Sequence, residues 1–226
     1  MKEYSNNTIF RNTLNTSSIR RISFRNDLNG LRAIAVIAVV LYHSEFTLFK
    51  GGWLGVDMFF VISGFLISNI IISELNTGTF SFKSFYLRRI KRILPALFTT
   101  LITTTPLAYF LLSSSAMTKY LNSYISSIFF YSNYYFQNLD FYNTEPTKYM
   151  PLLHTWSLAI EEQFYIVFPL FIFLIFKLLH KYIFTIVFLI FSYSVLLNFN
   201  LTFLDIFYKF EYRIWELLLG VLLMII

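Results

Sequence analysis

The chain has 226 residues, of which 57% are hydrophobic and only 13% are charged, and its mean hydropathy is +0.62. Ordinary soluble domains carry about 25% charged residues, so this composition excludes a typical soluble protein and indicates a membrane protein. The lack of cysteine excludes disulfides, a cysteine nucleophile and thiolate metal sites. The net charge of +6 does not call for a nucleic-acid partner, because Lys and Arg beside apolar segments commonly orient a membrane protein.

Apolar segments of bilayer-spanning length follow one another along the chain. A spanning helix needs about 20 apolar residues, and candidate spans lie at about 33–49, 54–73, 93–112, 157–176 and 182–199. A further apolar run at 214–226 is too short to cross, so we expect an incomplete span and a truncated chain or a fragment. No candidate alternates with the period of two that a membrane strand requires. The sequence therefore predicts an all-α, polytopic bundle of transmembrane helices.

Basic residues predict the orientation of this bundle. The N-terminal segment 1–30 and the loop at 83–92 are rich in Lys and Arg, and such segments stay on the cytoplasmic side of a membrane. We therefore expect a plasma (inner) membrane protein with a cytoplasmic N-terminal segment, 1–30, followed by a membrane domain, 31–226. Residues 121–136 are aromatic but rich in Ser and Asn, and we interpret them as an interfacial or re-entrant helix that does not cross.

Two titratable residues share one face of the first apolar helix. Arg32 and His43 are eleven residues apart, which places them within about 20° of each other around the helix and roughly 16 Å apart along it. Ionisable residues inside a membrane are costly and indicate a functional site. The alternative is structural: Arg32 can extend to lipid phosphate, and His43 can be a hydrogen-bonded core histidine.

The second span and the following loop carry further candidates. Asp57 and Gly64 share a helical face. Asp57 is either a functional carboxylate or part of a helix-packing interface in which Gly64 lets another helix approach closely. Arg89 and Arg92 are three residues apart and lie on one face of the next helix. They are either membrane anchors or a phosphate clamp, because guanidinium groups bind phosphate through two parallel hydrogen bonds.

The fourth span begins with a polar stripe on an otherwise apolar helix. Helical spacing places His154, Ser157, Glu161 and Tyr165 on one side, with Trp156 next to them. Such a stripe indicates a site within the bundle or a buried hydrogen-bond network that fixes the bundle.

The sixth apolar run begins with a possible ion pair. Arg213 and Glu216 are three residues apart, which suits either a structural pair at a helix entrance or a catalytic role.

These motifs resemble a known family. The blocks at 29–33 (with His43), 55–67, 86–95, 153–165 and 213–220 are similar, in the same order, to those of the acyltransferase-3 family of membrane acyltransferases. The resemblance implies that the chain holds the N-terminal part of the family domain. It also implies O-acylation, most often O-acetylation, of a cell-envelope glycan such as O-antigen or exopolysaccharide, with acyl-CoA as co-substrate. The family's functional signatures fall on Arg32, His43, Arg89 and Arg92.

The chemistry of acyl transfer suggests a role for each candidate. A base must take the proton of the sugar hydroxyl, and His43 suits neutral pH, either in this role or as a transient acyl carrier. Glu161 would orient a proton or a sugar hydroxyl, and Ser157 is a possible nucleophile. The remaining candidates would bind substrate or donor: Arg32, Arg89, Arg92, Asp57, His154, Trp156, Arg213 and Glu216. We expect lipids, acyl-CoA and a glycan as partners, and no bound metal or cofactor.

Two other classes of protein fit parts of this pattern. Glu161, Glu162 and His43 could form a proton relay in a transporter or flippase, although the chain lacks the internal repeats typical of transporters. An inactive remnant that merely inserts into the membrane is the third possibility.

Overall fold

The computed structural model describes residues 26–139, 150–200 and 207–226, and within these ranges it contains helices and turns but no strand. The all-α class is confirmed. Most of the predicted N-terminal segment 1–30 lies outside the described residues. The α-helices, numbered here along the described chain, are α1 (Asn26–His43), α2 (Leu54–Asn76), α3 (Phe82–Leu111), α4 (Ser114–Ile128), α5 (Ser132–Gln137), α6 (Thr155–Leu179), α7 (Ile183–Leu197) and α8 (Phe210–Ile225).

Three described segments are long and apolar enough to cross a membrane. They are Leu54–Asn76, Phe82–Leu111 and Thr155–Leu197, the last of which combines α6 and α7 with a short 3₁₀ turn, His180–Tyr182. These segments contain nearly all of the predicted spans at 54–73, 93–112, 157–176 and 182–199. Many large apolar side chains on them stay exposed, among them Ile102 at 66% and Phe110 at 80%, which suits contact with lipid.

The first predicted span, 33–49, has different bounds in the structure. Helix α1 begins earlier and ends at His43. Glu45 has φ +57°; its N–H donates to the Tyr42 carbonyl (3.0 Å), and the Phe46 N–H donates to the Leu41 carbonyl (3.1 Å). This is a Schellman motif, which ends a helix at a left-handed residue. The prediction missed the end because that residue is Glu and not the usual Gly.

The segment 121–136 is divided between two helices, α4 and α5. A second Schellman motif separates them, with Phe130 at φ +53° and the Tyr131 N–H donating to the Ser126 carbonyl at 3.0 Å. The Gln163 amide on α6 donates to the Phe130 carbonyl (2.9 Å) and so supports this turn. Neither helix is among the described segments that are long and apolar enough to cross a membrane; that 121–136 does not cross stays a prediction.

Glycines let α2 approach helices on two sides. A Cβ atom added at Gly55 would overlap the Ala35 carbonyl of α1, and one added at Gly64 would overlap the Leu217 carbonyl of α8. On α8, Gly220 is equally close to the Val61 carbonyl. Such contacts bring helix backbones together inside membranes. They fix the position of α2 between α1 and α8.

Helix α6 is held by hydrogen bonds from several neighbours. The Tyr86 hydroxyl of α3 donates to the Ile166 carbonyl at 2.9 Å, and the Ser127 and Thr155 hydroxyls lie 2.8 Å apart between α4 and α6. Aromatic and aliphatic side chains of α2, α6, α7 and α8 fill the main core around it. The polar stripe at the start of α6 is therefore on a well-supported helix.

Candidate functional site

A cleft of about 480 Å³ lies between α1, α2 and α6. Its walls are mostly aliphatic and aromatic, and its polar groups all come from α6. The lining residues are Val36, Val39, Val40, Val56, Phe59, Phe60, His154, Ser157, Leu158 and Glu161. A largely apolar cleft with a few convergent polar groups is the usual form of a small-molecule site.

The polar stripe of α6 runs along this cleft, as its helical spacing predicts. His154 lies at the start of α6, Ser157 one turn further, and Glu161 another turn along. The Ser157 hydroxyl donates to the His154 carbonyl at 3.1 Å, so its proton is directed at backbone and not at a base. Partial burial and the neighbouring charge of His43 hold the pKa of His154 below its ordinary value. His154 is therefore neutral near pH 7 and able to accept a proton.

His43 is placed differently from the prediction, which put it deep in the first span. It is the last residue of α1, is exposed, and lies in a second cleft of about 380 Å³ at the turn that follows. Its Nδ1 is 2.9 Å from the Val39 carbonyl. Because a carbonyl only accepts, Nδ1 carries the proton and the lone pair of the neutral ring is on Nε2. His43 is near enough to His154 to act on it electrostatically, but it does not line the larger cleft.

At the other end of the cleft, a chain of hydrogen bonds joins three helices. The Arg32 guanidinium donates to the Ser63 hydroxyl at 3.3 Å, and Ser63 donates to Glu161 Oε1 at 2.7 Å. The Tyr165 hydroxyl donates to Glu161 Oε2 at 3.3 Å, and Arg32 also lies over the Phe59 ring. Ser63 is the tenth residue of the 23-residue helix α2, so Arg32 lies within the bundle. This contact argues against the alternative that Arg32 extends to lipid phosphate.

Arg89 and Arg92 extend this cluster from α3. The charge of Arg92 acts on both Arg32 and Glu161, and Arg89 interacts electrostatically with Glu162 and with Arg92. The structure therefore brings the predicted Arg32, Arg89 and Arg92 together. The neighbouring Arg88 differs, because it pairs with Glu74 at 2.7 Å near the end of α2.

Arg32 and Arg89 each keep an unused donor. The Nε atoms of both are buried and make no hydrogen bond within the described chain. Buried donors of this kind are usually satisfied by some partner. A cluster of three guanidinium groups, two of which have an Nε–H without a hydrogen-bond partner, suits a phosphate-bearing ligand.

Four other predicted site residues form a separate cluster where α2, α6 and α8 meet, three of them buried and Asp57 partly exposed. Arg213 is 2.5 Å from Asp57 and 3.1 Å from Glu216. Its guanidinium lies 5.5–5.8 Å from the ring centres of Phe60, Trp156 and Phe207. Asp57, Trp156, Arg213 and Glu216 do not line the cleft. This arrangement fits the structural ion pair that sequence reasoning left open.

Sequence reasoning did not single out Ser63 as a site residue. The signal was nevertheless present: Phe59 and Ser63 are four residues apart, so they share one face of α2, and Phe59 lines the cleft. The ion pair between Asp57 and Arg213 was also missed, because no local spacing connects residues on different helices. No cluster of three or more metal-binding side chains occurs in the parts of the chain that the structure describes.

Comparisons with known proteins add to this geometry. A family model described as an acyltransferase domain (acyltransferase-3) matches residues 25–225. A protein named as a putative O-acetyltransferase in Staphylococcus aureus (strain MSSA476) is 44% identical over 151 residues, which is 66% of this chain and 25% of that protein. The O-acetyltransferase OatA of Staphylococcus aureus (strain NCTC 8325 / PS 47) is 43% identical over 159 residues, 69% of this chain and 25% of OatA. The chain thus matches about a quarter of the length of these relatives. No solved structure matches the chain.

Proposed function

We propose, from the premise that this chain belongs to the acyltransferase domain family, that it forms the membrane part of an O-acyltransferase. It would transfer an acyl group, most simply acetyl, from acyl-CoA to a hydroxyl of a cell-envelope glycan such as O-antigen or exopolysaccharide. The names of its relatives, O-acetyltransferases, support the reaction type. They do not identify the acceptor.

The observation that carries this proposal is the cleft with different chemistry at its two ends. One end has His154 and the nearby His43, and the other has Glu161 with Arg32 and the two arginines of α3. Acyl transfer needs a proton acceptor and a means of holding a highly charged donor. The cleft of about 480 Å³ extends from His154 to Glu161; His43 lines the second cleft, and Arg32 is joined to Glu161 through Ser63.

The arginine cluster is the proposed donor site. CoA carries several phosphates, and Arg32, Arg89 and Arg92 would bind them through paired hydrogen bonds. The thioester would then extend into the apolar cleft, away from the charged phosphates. The apolar walls would exclude water, which would otherwise hydrolyse the thioester.

The histidine end is the proposed site of proton transfer. The sugar oxygen attacks the thioester carbonyl carbon, the O–C bond forms, and the C–S bond breaks. His43, through Nε2, takes the hydroxyl proton and passes it to the CoA thiolate as it leaves. His43 as a transient acyl carrier remains the variant mechanism, and a nucleophilic Ser157 is less suited because its proton is given to a backbone carbonyl. Glu161 would orient the acceptor or a proton.

Histidine substitutions test this function, since the chain has three histidines. Membrane vesicles that contain the full-length protein would receive acetyl-CoA labelled in the acetyl group, and alkali-labile label in glycan would be counted. Loss of a general base typically costs 10²–10⁴-fold in rate, so we expect this loss for His43→Gln and a smaller loss for His154→Gln. His180→Gln is the matched control, because His180 lies in the turn after α6 against Phe176. Full activity of His43→Gln at wild-type abundance would refute the assignment of the base.

The orientation is also part of the proposal. A cytoplasmic N-terminus would place the start of α3, around Ser84, inside and the turn around Thr47 outside. Residues 1–226 contain no cysteine, so single-cysteine variants at these two positions can be labelled without background from this part of the protein. In intact cells an impermeant maleimide should label Thr47→Cys and not Ser84→Cys. The reverse pattern would move the donor site to the wrong side of the membrane.

A further inference from the structure

Ser63 connects three helices by hydrogen bonds at the Glu161 end of the cleft. Its hydroxyl lies between Arg32 of α1 and Glu161 of α6, at 3.3 and 2.7 Å, and Ser63 is only 1% exposed. We propose that Ser63 is a positioning residue that fixes the Glu161 carboxylate in the cleft and connects it to the arginine cluster. This inference rests on the function proposed above.

The direction of the hydrogen bonds follows from the groups themselves. A guanidinium only donates, so Ser63 accepts from Arg32, and its single proton is left for Glu161. Tyr165 donates to the second oxygen of the same carboxylate at 3.3 Å. Both oxygens of Glu161 thus accept a hydrogen bond from within the bundle. These two hydrogen bonds hold the carboxyl group of Glu161 in one orientation.

The backbone around Ser63 is unusually constrained. The next residue, Gly64, packs directly against the Leu217 carbonyl of α8, which leaves α2 little freedom to slide or rotate there. This helix contact, one residue further along α2, therefore limits movement of the Ser63 hydroxyl. Positioning by rigid elements matters, because a displacement of about 1 Å at a reacting group can cost up to 10²-fold in rate.

Helix α2 supplies a matched control for this role. Ser68 is also buried, at 0% exposure, but its hydroxyl bonds only to carbonyls of its own helix, Gly64 at 2.8 Å and Phe65 at 3.0 Å. Ser63→Ala and Ser68→Ala thus remove the same atom from the same helix at similar burial. A general loss of packing affects both variants, and loss of the connection to Glu161 affects only Ser63→Ala.

The test measures transfer of labelled acetyl from acetyl-CoA to alkali-labile ester in vesicles with the full-length protein. Removing a hydrogen bond to a charged group is expected to lower the rate of Ser63→Ala about 10- to 100-fold. Ser68→Ala should stay within about two-fold of wild type, and Ser63→Thr should keep most activity because it retains the hydroxyl. Equal effects of Ser63→Ala and Ser68→Ala would overturn the proposal.

A double variant separates positioning from a structural role. If Ser63 acts through Glu161, then Ser63→Ala with Glu161→Gln should be no slower than Glu161→Gln alone. Losses that multiply would show that the two residues act independently and would refute the inference, even if Ser63→Thr failed to fold. If the wild-type protein transfers no acetyl group, the proposed function itself fails. If wild type is active and Ser63→Ala matches it, only the role of Ser63 fails.

Discussion

The buried ion pair between α2 and α8 gives the sharpest prediction of stability. Replacing Arg213 with Leu removes the cation from between Asp57 and Glu216, which lie 2.5 and 3.1 Å from it. Arg213 is 8% exposed and Glu216 is fully buried, so water cannot solvate the Glu216 carboxylate left behind. Breaking a buried pair in this way costs about 3–5 kcal/mol.

The guanidinium also loses its aromatic surroundings in this variant. Phe60, Trp156 and Phe207 lie 5.5–5.8 Å from it, and each such contact contributes about 0.5–2 kcal/mol. Part of this loss is offset because Leu is apolar and packs against the same rings. We therefore expect a total loss near the upper end of about 3–5 kcal/mol and a fall in Tm on the order of 10 °C.

The assay is thermal challenge of the detergent-solubilised protein, followed by size-exclusion chromatography of the fraction that remains monodisperse. Arg88→Leu is the control, since Arg88 pairs with Glu74 while 44% exposed, and such surface pairs contribute about 0–1 kcal/mol. The double variant Asp57→Leu with Arg213→Leu should regain part of the stability, because it removes one orphaned carboxylate. Equal Tm values for Arg213→Leu and Arg88→Leu would refute the reasoning.

Three further predictions concern the donor site, pH and one helix end. Arg89→Lys and Arg92→Lys should each raise the KM for acyl-CoA about ten-fold, because a point charge does not reproduce a two-pronged phosphate contact, whereas Arg88→Lys should not; equal kinetics for all three would identify the pair as membrane anchors. The pKa of His154 lies below its ordinary 6.5, so as the pH falls the unfolded chain takes up a proton at His154 before the folded chain does. The free energy of unfolding should therefore decrease as the pH drops below 6.5, and it should decrease less in His154→Gln. Identical pH profiles of the two proteins in the thermal challenge would contradict this. Glu45→Gly should raise stability by about 0.5–1 kcal/mol, because glycine adopts the left-handed conformation without strain, and Glu45→Ala should not.

Local spacing was enough to predict part of this structure. The stripe of His154, Ser157 and Glu161 lines the cleft because residues three and four apart share a helical face, whatever the helix packs against. The membrane-spanning helices are predicted by the length of the apolar segments in the sequence. These features depend on one segment at a time, so the sequence contains them directly.

Features that depend on two segments were not predictable in this way. Arg213 has a local partner in Glu216, and sequence reasoning found it, but its shorter contact is with Asp57, 156 positions earlier. The end of α1 at His43 was missed because Glu45 occupies a position that usually holds Gly. His43 was consequently expected deeper in the bundle than the structure places it. Only the packed structure shows which helices meet.

The glycines of α2 determine how this helix tolerates changes in length. Gly55, against α1, and Gly64, against α8, are nine residues apart, and nine steps of 100° place them on opposite sides of the helix. One residue inserted between them would rotate one contact by about 100° relative to the other, so that a side chain would meet the neighbouring backbone. An insertion of about seven or eleven residues, near two or three whole turns, would return both glycines to their faces but would move them about 10–17 Å further apart along the helix axis. The distance between these glycines is therefore expected to be far less variable than the lengths of the loops on either side of α2.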